Sequence, residues 1–415
     1  MFSLLKSKLG RLGVASAVVA LAATSGVVSA QQKDPIRIGV LSPITGPLAT
    51  PGAEMLNGLR MFWEQNNYTA GGRKIELVIA DTLCNPDQAL TQARRLTLQE
   101  KVHFLLGPLC GHEGPAVAQV SKETGIPLIM DPAGADTSTK WDRIPSVIRT
   151  AVSASQLGHP FGDYLFKELG VKNATFIASD YTWGHEVAGG MMKTFTDAGG
   201  KIDRVIWAPL ATTDYGASLA AIPANTGAVI AVVAGVARIR LFEAWYNFGY
   251  DKRFLLHGGY WLHEDAIPQI DARAEGLISN TVHYVAGIDT PENKKFVDDY
   301  ARRYKLLPSW FAESSYTAGM WTKAAIDSIN GRVEDRQAFL NAMRKVEVKG
   351  APRGPLKLDA YDNPIQNIYI TRLRKVNHPI LGQQLMNIPV KTYTNVSQFW
   401  TYDPQEFLKR GPYKR

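Results

Sequence analysis

The chain has 415 residues, with 46 Lys and Arg against 38 Asp and Glu, and a formal net charge of +8. Hydrophobic residues make up 45 %, which excludes an intrinsically disordered chain, and the 36 Gly follow no collagen-like period. Two Cys exclude a disulfide-rich scaffold and a multi-cysteine zinc module. These values indicate a large globular protein of roughly two or three domains.

The first thirty residues have the pattern of a secretory signal peptide. The basic residues Lys6, Lys8 and Arg11 precede an apolar run over 12–19, and small residues end the segment at Ala30. A transmembrane anchor is the weaker alternative, because a membrane span needs about 20 predominantly apolar residues and this run is diluted by Gly, Ser and Thr. We predict cleavage after Ala30 and export to the periplasm. Loss of three basic residues lowers the formal charge from +8 to +5.

The remaining positive charge does not indicate a nucleic-acid partner. The basic residues near the end of the chain form two short clusters, at 372–375 and 409–415. Solvated surface is the simpler interpretation, since a nucleic-acid site also needs a supporting module. We therefore expect no nucleic-acid partner.

The two cysteines, Cys84 and Cys110, form an even pair with none left over. In an oxidising compartment this count favours a structural disulfide. A catalytic thiol is the alternative, but neither cysteine has an obvious general base nearby in the sequence. We predict a bridge between Cys84 and Cys110.

Short β-rich runs alternate with helical patterns, which is typical of parallel βαβ units. In the first half, we predict strands at 36–41, 75–80, 103–106 and 128–130, and helices around 55–63 and at 87–100 and 115–123. After residue 150 the alternation restarts, with helices at 156–169, 186–197, 215–222 and 239–248 and strands at 175–178, 202–207, 228–234 and 254–256. A mostly helical stretch, 291–344, and a late strand, 368–370, follow. Two sets of this kind predict two similar α/β lobes.

Known enzyme signatures are missing from the loops after the predicted strands. The chain has no G-x-G-x-x-G, no P-loop, no H-E-x-x-H and no G-x-S-x-G. His257 and His263 are the one His pair with ligand-like spacing, and we interpret them as structural. We therefore predict a binding protein that is not an enzyme and uses no cofactor, with an exported hydrolase as the competing class.

The loop at 107–115 leads into a predicted helix at the carboxyl end of a strand, where open parallel sheets place their ligands. Backbone N–H groups at a helix start can bind an anion. Gly111 would let a ligand approach the backbone, and His112 and Glu113 can reach into the crevice. A tight turn with two solvated side chains is the equal alternative.

Two loops of the second set carry aromatic residues beside glycines, at 181–184 and 258–261. Trp183, Tyr260 and Trp261 in these loops offer surfaces on which a flat or apolar ligand can stack. A tryptophan that fills the core is the alternative.

Taken together, these segments resemble type I periplasmic substrate-binding proteins of ABC importers, in the branched-chain amino-acid-binding (leucine-binding-like) family. The resemblance runs over residues 34–375. The matching segments are 38–43, 45–49, 57–58, 81–89, 107–110, 125–127 and 354–356. Each segment is weak alone, whereas their order and spacing together are specific.

The resemblance implies an α/β fold of two similar doubly wound parallel-sheet lobes joined by a three-crossover hinge. It implies a small-molecule ligand, a membrane permease as partner, a monomer, and a disulfide at Cys84 and Cys110. We predict one lobe from 34–150 plus 283–352, and the other from 151–282 plus 353–415. The last thirty or so residues exceed the family's usual end; we expect them to pack on the second lobe, with a linker-like tail as the alternative.

Departures from the family bear on the ligand. The amino-acid-binding members of the family hold the α-carboxylate of the ligand with hydroxyl groups at positions where this chain has Gly111 and Ala135. They pair the ammonium group of the ligand with an acidic residue where this chain has Gly259. An aromatic residue of the first loop is replaced by Pro51, whereas Trp183 stands where the family has Tyr. An amino acid bound here would leave a buried charge without its partner, which is costly.

Two explanations for the absence of this acidic partner remain open. Either Glu113 or Asp131 supplies a carboxylate for an amino-acid ligand, or the ligand has no ammonium group. We favour an aromatic or other small organic acid over a branched-chain or hydrophobic amino acid, with Thr45 and Tyr260 as further ligand contacts. A ligand-sensing receptor subunit is a third interpretation that differs only in the partner.

Overall fold

The computed structural model describes residues 34–46 and 48–415. The predicted signal peptide lies outside these residues. Within them, no helix combines the length and the apolar character that a membrane crossing requires. The chain forms two sheets, each covered by helices.

The first sheet has six strands in the order β2-β3-β1-β4-β5-β6. All of its pairs are parallel except the β2–β3 hairpin. The strands are β1 (Ile36–Ser42), β2 (Thr69–Ala70), β3 (Arg73–Asp81), β4 (Phe104–Leu106), β5 (Leu128–Met130) and β6 (Val147–Arg149). We call this sheet and the helices packed on it the first lobe.

The second sheet has eight strands, in the order β12-β13-β11-β10-β9-β7-β8 with β14 beside β13. The strands are β7 (Asn173–Ser179), β8 (Lys201–Ala208), β9 (Ala228–Val232), β10 (Leu255–Tyr260), β11 (Ile278–Val282), β12 (Lys357–Leu358), β13 (Pro364–His378) and β14 (Gly382–Val396). Strands β7 to β10 pair in parallel, but β11 to β14 pair antiparallel. The second lobe, built on this sheet, is therefore mixed rather than wholly parallel as predicted.

The helices are α1 (Ala49–Gln65), α2 (Pro86–Leu98), α3 (Gly114–Thr124), α4 (Ala154–Lys167), α5 (Thr182–Asp197), α6 (Gly216–Ala220), α7 (Ala237–Asn247), α8 (Pro291–Tyr304), α9 (Trp310–Ser328), α10 (Arg336–Lys345) and α11 (Pro404–Lys409). Local sequence explains several of their ends. The side chain of Asn85, for example, accepts the N–H groups of Asp87 and Gln88, and Pro86 is suited to the first helical position.

The chain crosses between the lobes three times: from β6 to α4, from β11 to α8, and from α10 to β12. Buried amides fasten this hinge. Nε2 of Gln156 donates to the carbonyl oxygens of Pro364 and Val396, both at 2.8 Å, and Asn363 donates to the Gln156 side chain at 3.1 Å. The residue bounds of the lobes that the sequence suggested stay a prediction.

Candidate functional site

The carboxyl ends of the central strands of both sheets face a cleft between the lobes. The lobes close on a cavity of about 30 Å³, far below the roughly 300–1,000 Å³ of a typical small-molecule pocket. A larger ligand therefore needs the lobes or the wall side chains to move apart. The wall consists of Leu48, Pro51, Leu109, Cys110, Gly111, Pro132, Tyr181, Trp183, Ala234, Gly235, Arg238, Tyr260, Trp310 and Phe311.

Trp183 of the second lobe packs against the first lobe. Its ring lies on the backbone of Gly134, so closely that a Cβ at Gly134 would collide with it. The ring is parallel to that of Trp310, with centroids 5.9 Å apart and planes at 10°, and meets the ring of Tyr260 edge-on at 5.4 Å. Trp183 belongs to the first turn of α5 rather than to a loop as predicted, and this helix holds it in place.

The indole N–H of Trp183 has no acceptor among the described residues, although the side chain is buried. A buried donor without a partner costs about 1–3 kcal/mol. A ligand that supplies an oxygen at this point would therefore recover that energy. The geometry suits an acceptor group, such as a carboxylate, beside the aromatic wall.

Arg238 carries the one formal charge among the described residues of the cavity wall. Its Nη1 and Nη2 donate to the carboxylate of Asp265 at 3.0 and 2.5 Å, and its Nε donates to the carbonyl of Gly235 at 2.9 Å. Burial lowers the pKa of Arg238, but the charge and hydrogen bonds of Asp265 raise it above its ordinary value overall. An arginine has five N–H donors; three are used, so two remain for a ligand.

Gly111, Trp183 and Tyr260 are the sequence-predicted site residues that the structure places in the cavity wall. Tyr260 ends strand β10, which runs four residues beyond the strand predicted at 254–256. The strand continues because Gly258 lets the neighbouring strand approach: a Cβ there would collide with the backbone of Ser279.

Thr45 and His112 lie outside the cavity wall. Thr45 is exposed, and its hydroxyl donates to Asp81 at 2.8 Å. His112 donates from Nε2 to the carbonyl of Cys84 at 2.9 Å and meets the edge of Tyr181 at 6.0 Å. Burial lowers the pKa of His112, so the imidazole is neutral at pH 7 and supports the wall from behind.

The two predicted acids, Glu113 and Asp131, are buried away from the cavity wall. Glu113 accepts the N–H of Cys110 at 3.1 Å, and Asp131 accepts the hydroxyl of Ser315 at 2.6 Å. Burial raises the pKa of each carboxyl to about 7. One oxygen of each acid thus bonds a group of the first lobe, and the other oxygen has no hydrogen-bond partner among the described residues.

Ala135 and Gly259 also lie behind the wall. The carbonyl of Ala135 accepts a hydrogen bond from Arg149 at 2.7 Å. A Cβ at Gly259 would meet the flexible end of the Met191 side chain. Neither position presents a polar side chain to a ligand.

Arg238 and Trp310 are wall residues that the sequence did not indicate. Arg238 lies in the first turn of α7, six residues after β9 ends. The sequence prediction left it between the strand at 228–234 and the helix at 239–248, and its partner Asp265 lies 27 residues further on. Trp310 starts α9, which returns to the first lobe after the second crossover. The position of Arg238 just after a predicted strand could have marked it as a candidate, whereas no local pattern indicated Trp310.

Replacement of Gly134 by Ala is expected to impair closure, because the new methyl group would overlap the ring of Trp183. Gly350 is a suitable control position, since a Cβ there meets nothing within 4 Å. We expect Gly134→Ala to weaken ligand binding at least tenfold and Gly350→Ala to leave it unchanged, as measured by calorimetric titration with an aromatic carboxylic acid. Equal affinity of the two variants would contradict the packing described here.

The disulfide between Cys84 and Cys110 is present, with the Cα atoms 5.6 Å apart and a sequence separation of 26. It ties the start of α2 to the loop that supplies Cys110 and Gly111 to the cavity wall. Replacing both cysteines by Ser is expected to lower the free energy of unfolding by about 3 kcal/mol, from the entropy of the opened loop. Denaturant unfolding measures this loss, and a change below about 1 kcal/mol would contradict it.

Glu54 of α1 is buried close to the cavity and accepts the N–H of Ser309 at 3.1 Å. Burial, and then the charge of Asp265, raises its pKa from 4.5 to about 8. The folded state therefore holds a proton that the unfolded state releases. The contribution of Glu54 to stability is full below about pH 4.5 and is lost as the pH rises to about 8.

Replacement of Glu54 by Gln removes this proton dependence and keeps an acceptor for Ser309. We expect the free energy of unfolding of Glu54→Gln, measured relative to that of the unmodified protein, to increase from pH 5 to pH 8. Denaturant titrations at the two pH values measure the difference. A constant difference would show that Glu54 titrates normally.

Residues 35–377 match a family model described as periplasmic binding protein. Among curated proteins, Leu/Ile/Val-binding protein homolog 6 of Brucella melitensis is 28 % identical over 369 residues. The alignment covers 87 % of this chain and 93 % of the relative.

Two solved structures are similar to the chain over almost their whole length. A solute-binding protein of an ABC transporter from R. palustris, in complex with benzoate, is 27 % identical with a TM-score of 0.78, covering 87 % of this chain and 98 % of that one. One from Rhodopseudomonas palustris BisB5, in complex with 3,4-dihydroxybenzoic acid, is 26 % identical with a TM-score of 0.82, covering 88 % and 99 %.

Proposed function

The chain belongs to the periplasmic binding protein family, and we propose that its cleft captures an aromatic or other hydrophobic organic acid for an ABC importer. The composition of the cavity wall carries this proposal. Aromatic rings and aliphatic groups surround the guanidinium of Arg238, and no acidic side chain is among the described wall residues. Such a wall suits a ligand with a flat apolar body and one carboxylate.

The carboxylate of the ligand would accept hydrogen bonds from Arg238 and from the indole of Trp183. Two N–H groups of Arg238 remain after its bonds to Asp265 and Gly235, and the Trp183 N–H has no other acceptor among the described residues. The backbone at Gly111, next to α3, adds the positive end of a helix. The ring would lie against Trp183, Tyr260 or Trp310.

A branched-chain amino acid is the second candidate, favoured by the Leu/Ile/Val-binding homologue of Brucella melitensis. Its ammonium group would need a carboxylate at the wall. Asp265 already forms a two-point ion pair with Arg238, and Glu113 and Asp131 face other partners. An unpaired ammonium in this cleft would be costly. The solute-binding proteins solved with benzoate and 3,4-dihydroxybenzoic acid support the aromatic acid instead.

The remaining parts of the proposal concern where and with what the protein works. We infer that a signal peptide directs it to the periplasm and is removed after Ala30. There, as a monomer, it would bind its ligand without converting it and pass it to a membrane permease. The contacts that would carry ligand binding are those of Gly111, Trp183, Tyr260 and Arg238.

A thermal-shift screen tests the proposal. The mature protein is heated with each of the twenty amino acids and with a panel of benzoates and phenylpropanoid acids. A ligand at one hundred times its Kd adds about 2.7 kcal/mol of stability. We expect stabilisation by at least one aromatic acid, with the acid recovered unchanged. Stabilisation by leucine, with no response to any aromatic acid, would overturn the choice of ligand.

A further inference from the structure

The last segment of the chain, 397–415, lies between the lobes. Its helix α11 contacts Trp141 of the first lobe on one side and His159 of α4 in the second lobe on the other. The indole N–H of Trp141 donates to the carbonyl of Leu408 at 2.8 Å. The ring of Phe407 is stacked 6.0 Å from Trp141 and meets His159 edge-on at 5.8 Å. One short helix thus touches both lobes at once.

A buried lysine of the first lobe reinforces this junction. Nζ of Lys140 lies 5.2 Å from the ring centre of Phe407 and 5.9 Å from that of Phe399. The same ammonium is 3.0 Å from Asp136 and donates to the hydroxyl of Ser155, at the start of α4, at 2.6 Å. The rings of the last segment therefore cover a charged contact between the lobes.

Two further hydrogen bonds, both involving Asp136, also join the lobes. The N–H of Asp136 donates to Glu186 of α5 at 3.0 Å, and the N–H of Ser155 donates to Asp136 at 3.2 Å. All three side chains are buried. These bonds connect a loop of the first lobe to two helices of the second, and they must lengthen or break if the lobes separate at this point.

The segment continues along α5 towards the cavity. The ring of Tyr413 lies on Gly189, where a side chain would collide with it. Arg415 then reaches Asp180 at 2.7 Å, and Asp180 also binds His185 at 2.8 Å. Asp180 comes directly before Tyr181, which begins the turn that carries Trp183 into the cleft.

We propose that residues 397–415 are a clasp between the lobes, which stabilises the closed arrangement and positions the start of α5 for ligand binding. The segment lies beyond residue 377, where the family match ends, so it adds to the shared binding-protein fold. The proposal extends the proposed function, because closure is what captures the ligand there. The clasp itself is testable without any ligand.

The test measures the separation of the lobes in ligand-free protein. Spin labels are placed at the exposed positions Leu98 and Phe248, one on each lobe, through Leu98→Cys and Phe248→Cys. Pulsed electron spin resonance then gives the distribution of distances between them. We expect Phe407→Ala to shift this distribution to longer distances, because it removes the ring held between Trp141 and His159.

Two further variants keep the result interpretable. Trp141→Phe removes the indole N–H donated to Leu408 together with part of the ring, but keeps an aromatic ring against Phe407. It should therefore fold and shift the distances in the same direction. Tyr316→Phe is the matched control, since its lost hydrogen bond joins α9 to Gln65 of α1, within the first lobe and outside the clasp. It should leave the distances unchanged.

Distances that stay the same in Phe407→Ala and Trp141→Phe would overturn the clasp, as would an equal shift in Tyr316→Phe. These outcomes are separate from the ligand question, because no ligand is present. If benzoate fails to bind but the distances lengthen, the proposed ligand is wrong and the clasp stands.

Discussion

Replacing Arg238 by Met is expected to weaken the binding of benzoate by at least about 30-fold. Its guanidinium is the one charged group in the described cavity wall, and loss of one partner from a buried, hydrogen-bonded charge pair costs about 2–5 kcal/mol. A tenfold change in affinity corresponds to about 1.4 kcal/mol. Calorimetric titration of the folded variant measures the loss.

The variant Arg238→Met also leaves the carboxylate of Asp265 buried without its partner, which alone lowers stability. The double variant with Asp265→Asn removes both charges and restores a neutral interior. We expect it to recover thermal stability but not benzoate affinity. Recovery of affinity together with stability would mean that Arg238 supports the fold and does not hold the ligand.

Removal of the Trp183 ring is the second change with a large expected effect. Trp183→Ala deletes a buried side chain that packs against Trp310, Tyr260 and the backbone of Gly134. An aromatic ligand would lose stacking worth about 0.5–1.5 kcal/mol beyond the buried area and the contact area itself. We expect benzoate affinity to fall about 30- to 100-fold, measured by calorimetric titration.

Thr45→Ala is the control for this prediction. Thr45 is exposed at the rim and bonded to Asp81, so we expect a change of less than threefold. The variant Trp183→Phe keeps a ring and should recover part of the affinity. Equal effects of Trp183→Ala and Thr45→Ala would show that the ring is not part of the ligand site.

Much of the fold could be predicted because the two central sheets follow simple patterns. Strand 128–130 coincides with β5, and the predicted first strand differs from β1 by one residue. The family and the disulfide between Cys84 and Cys110 are confirmed as well. The strands follow from hydrophobic periodicity and the disulfide from the cysteine count, whereas the family was a resemblance carried by the order and spacing of matching segments.

The long hairpin of β13 and β14 was largely missed, since only 368–370 was predicted as strand. Both strands have 15 residues; β13 is exposed only near its end, whereas exposed residues recur along β14. Their outward positions carry Lys, Arg, Asn and Gln, and Pro389 lies within β14, which is tolerated on an edge strand. Strand β13 pairs with the distant strand β11, and β14 is held in turn by β13. The pairing with β11 is a long-range contact that the local sequence pattern does not indicate.

The site was only partly predictable for the same reason. Gly111, Trp183 and Tyr260 stand at strand ends and could be singled out. The pair of Arg238 with Asp265 depends on how the start of α7 meets the loop after β10 in the second lobe. The sequence also left open whether Glu113 or Asp131 faces the cavity, because the orientation of a buried acid depends on tertiary contacts.

A crystal structure of the mature protein grown with benzoate tests the central claim most directly. We expect density for the ligand between the lobes, its carboxylate within hydrogen-bond distance of Arg238 and the indole N–H of Trp183. The ring should lie against the aromatic wall formed by Trp183, Tyr260 and Trp310. Benzoate bound elsewhere, or a cleft that holds leucine with its ammonium group on Asp265, would contradict the assignment of this cavity to aromatic acids.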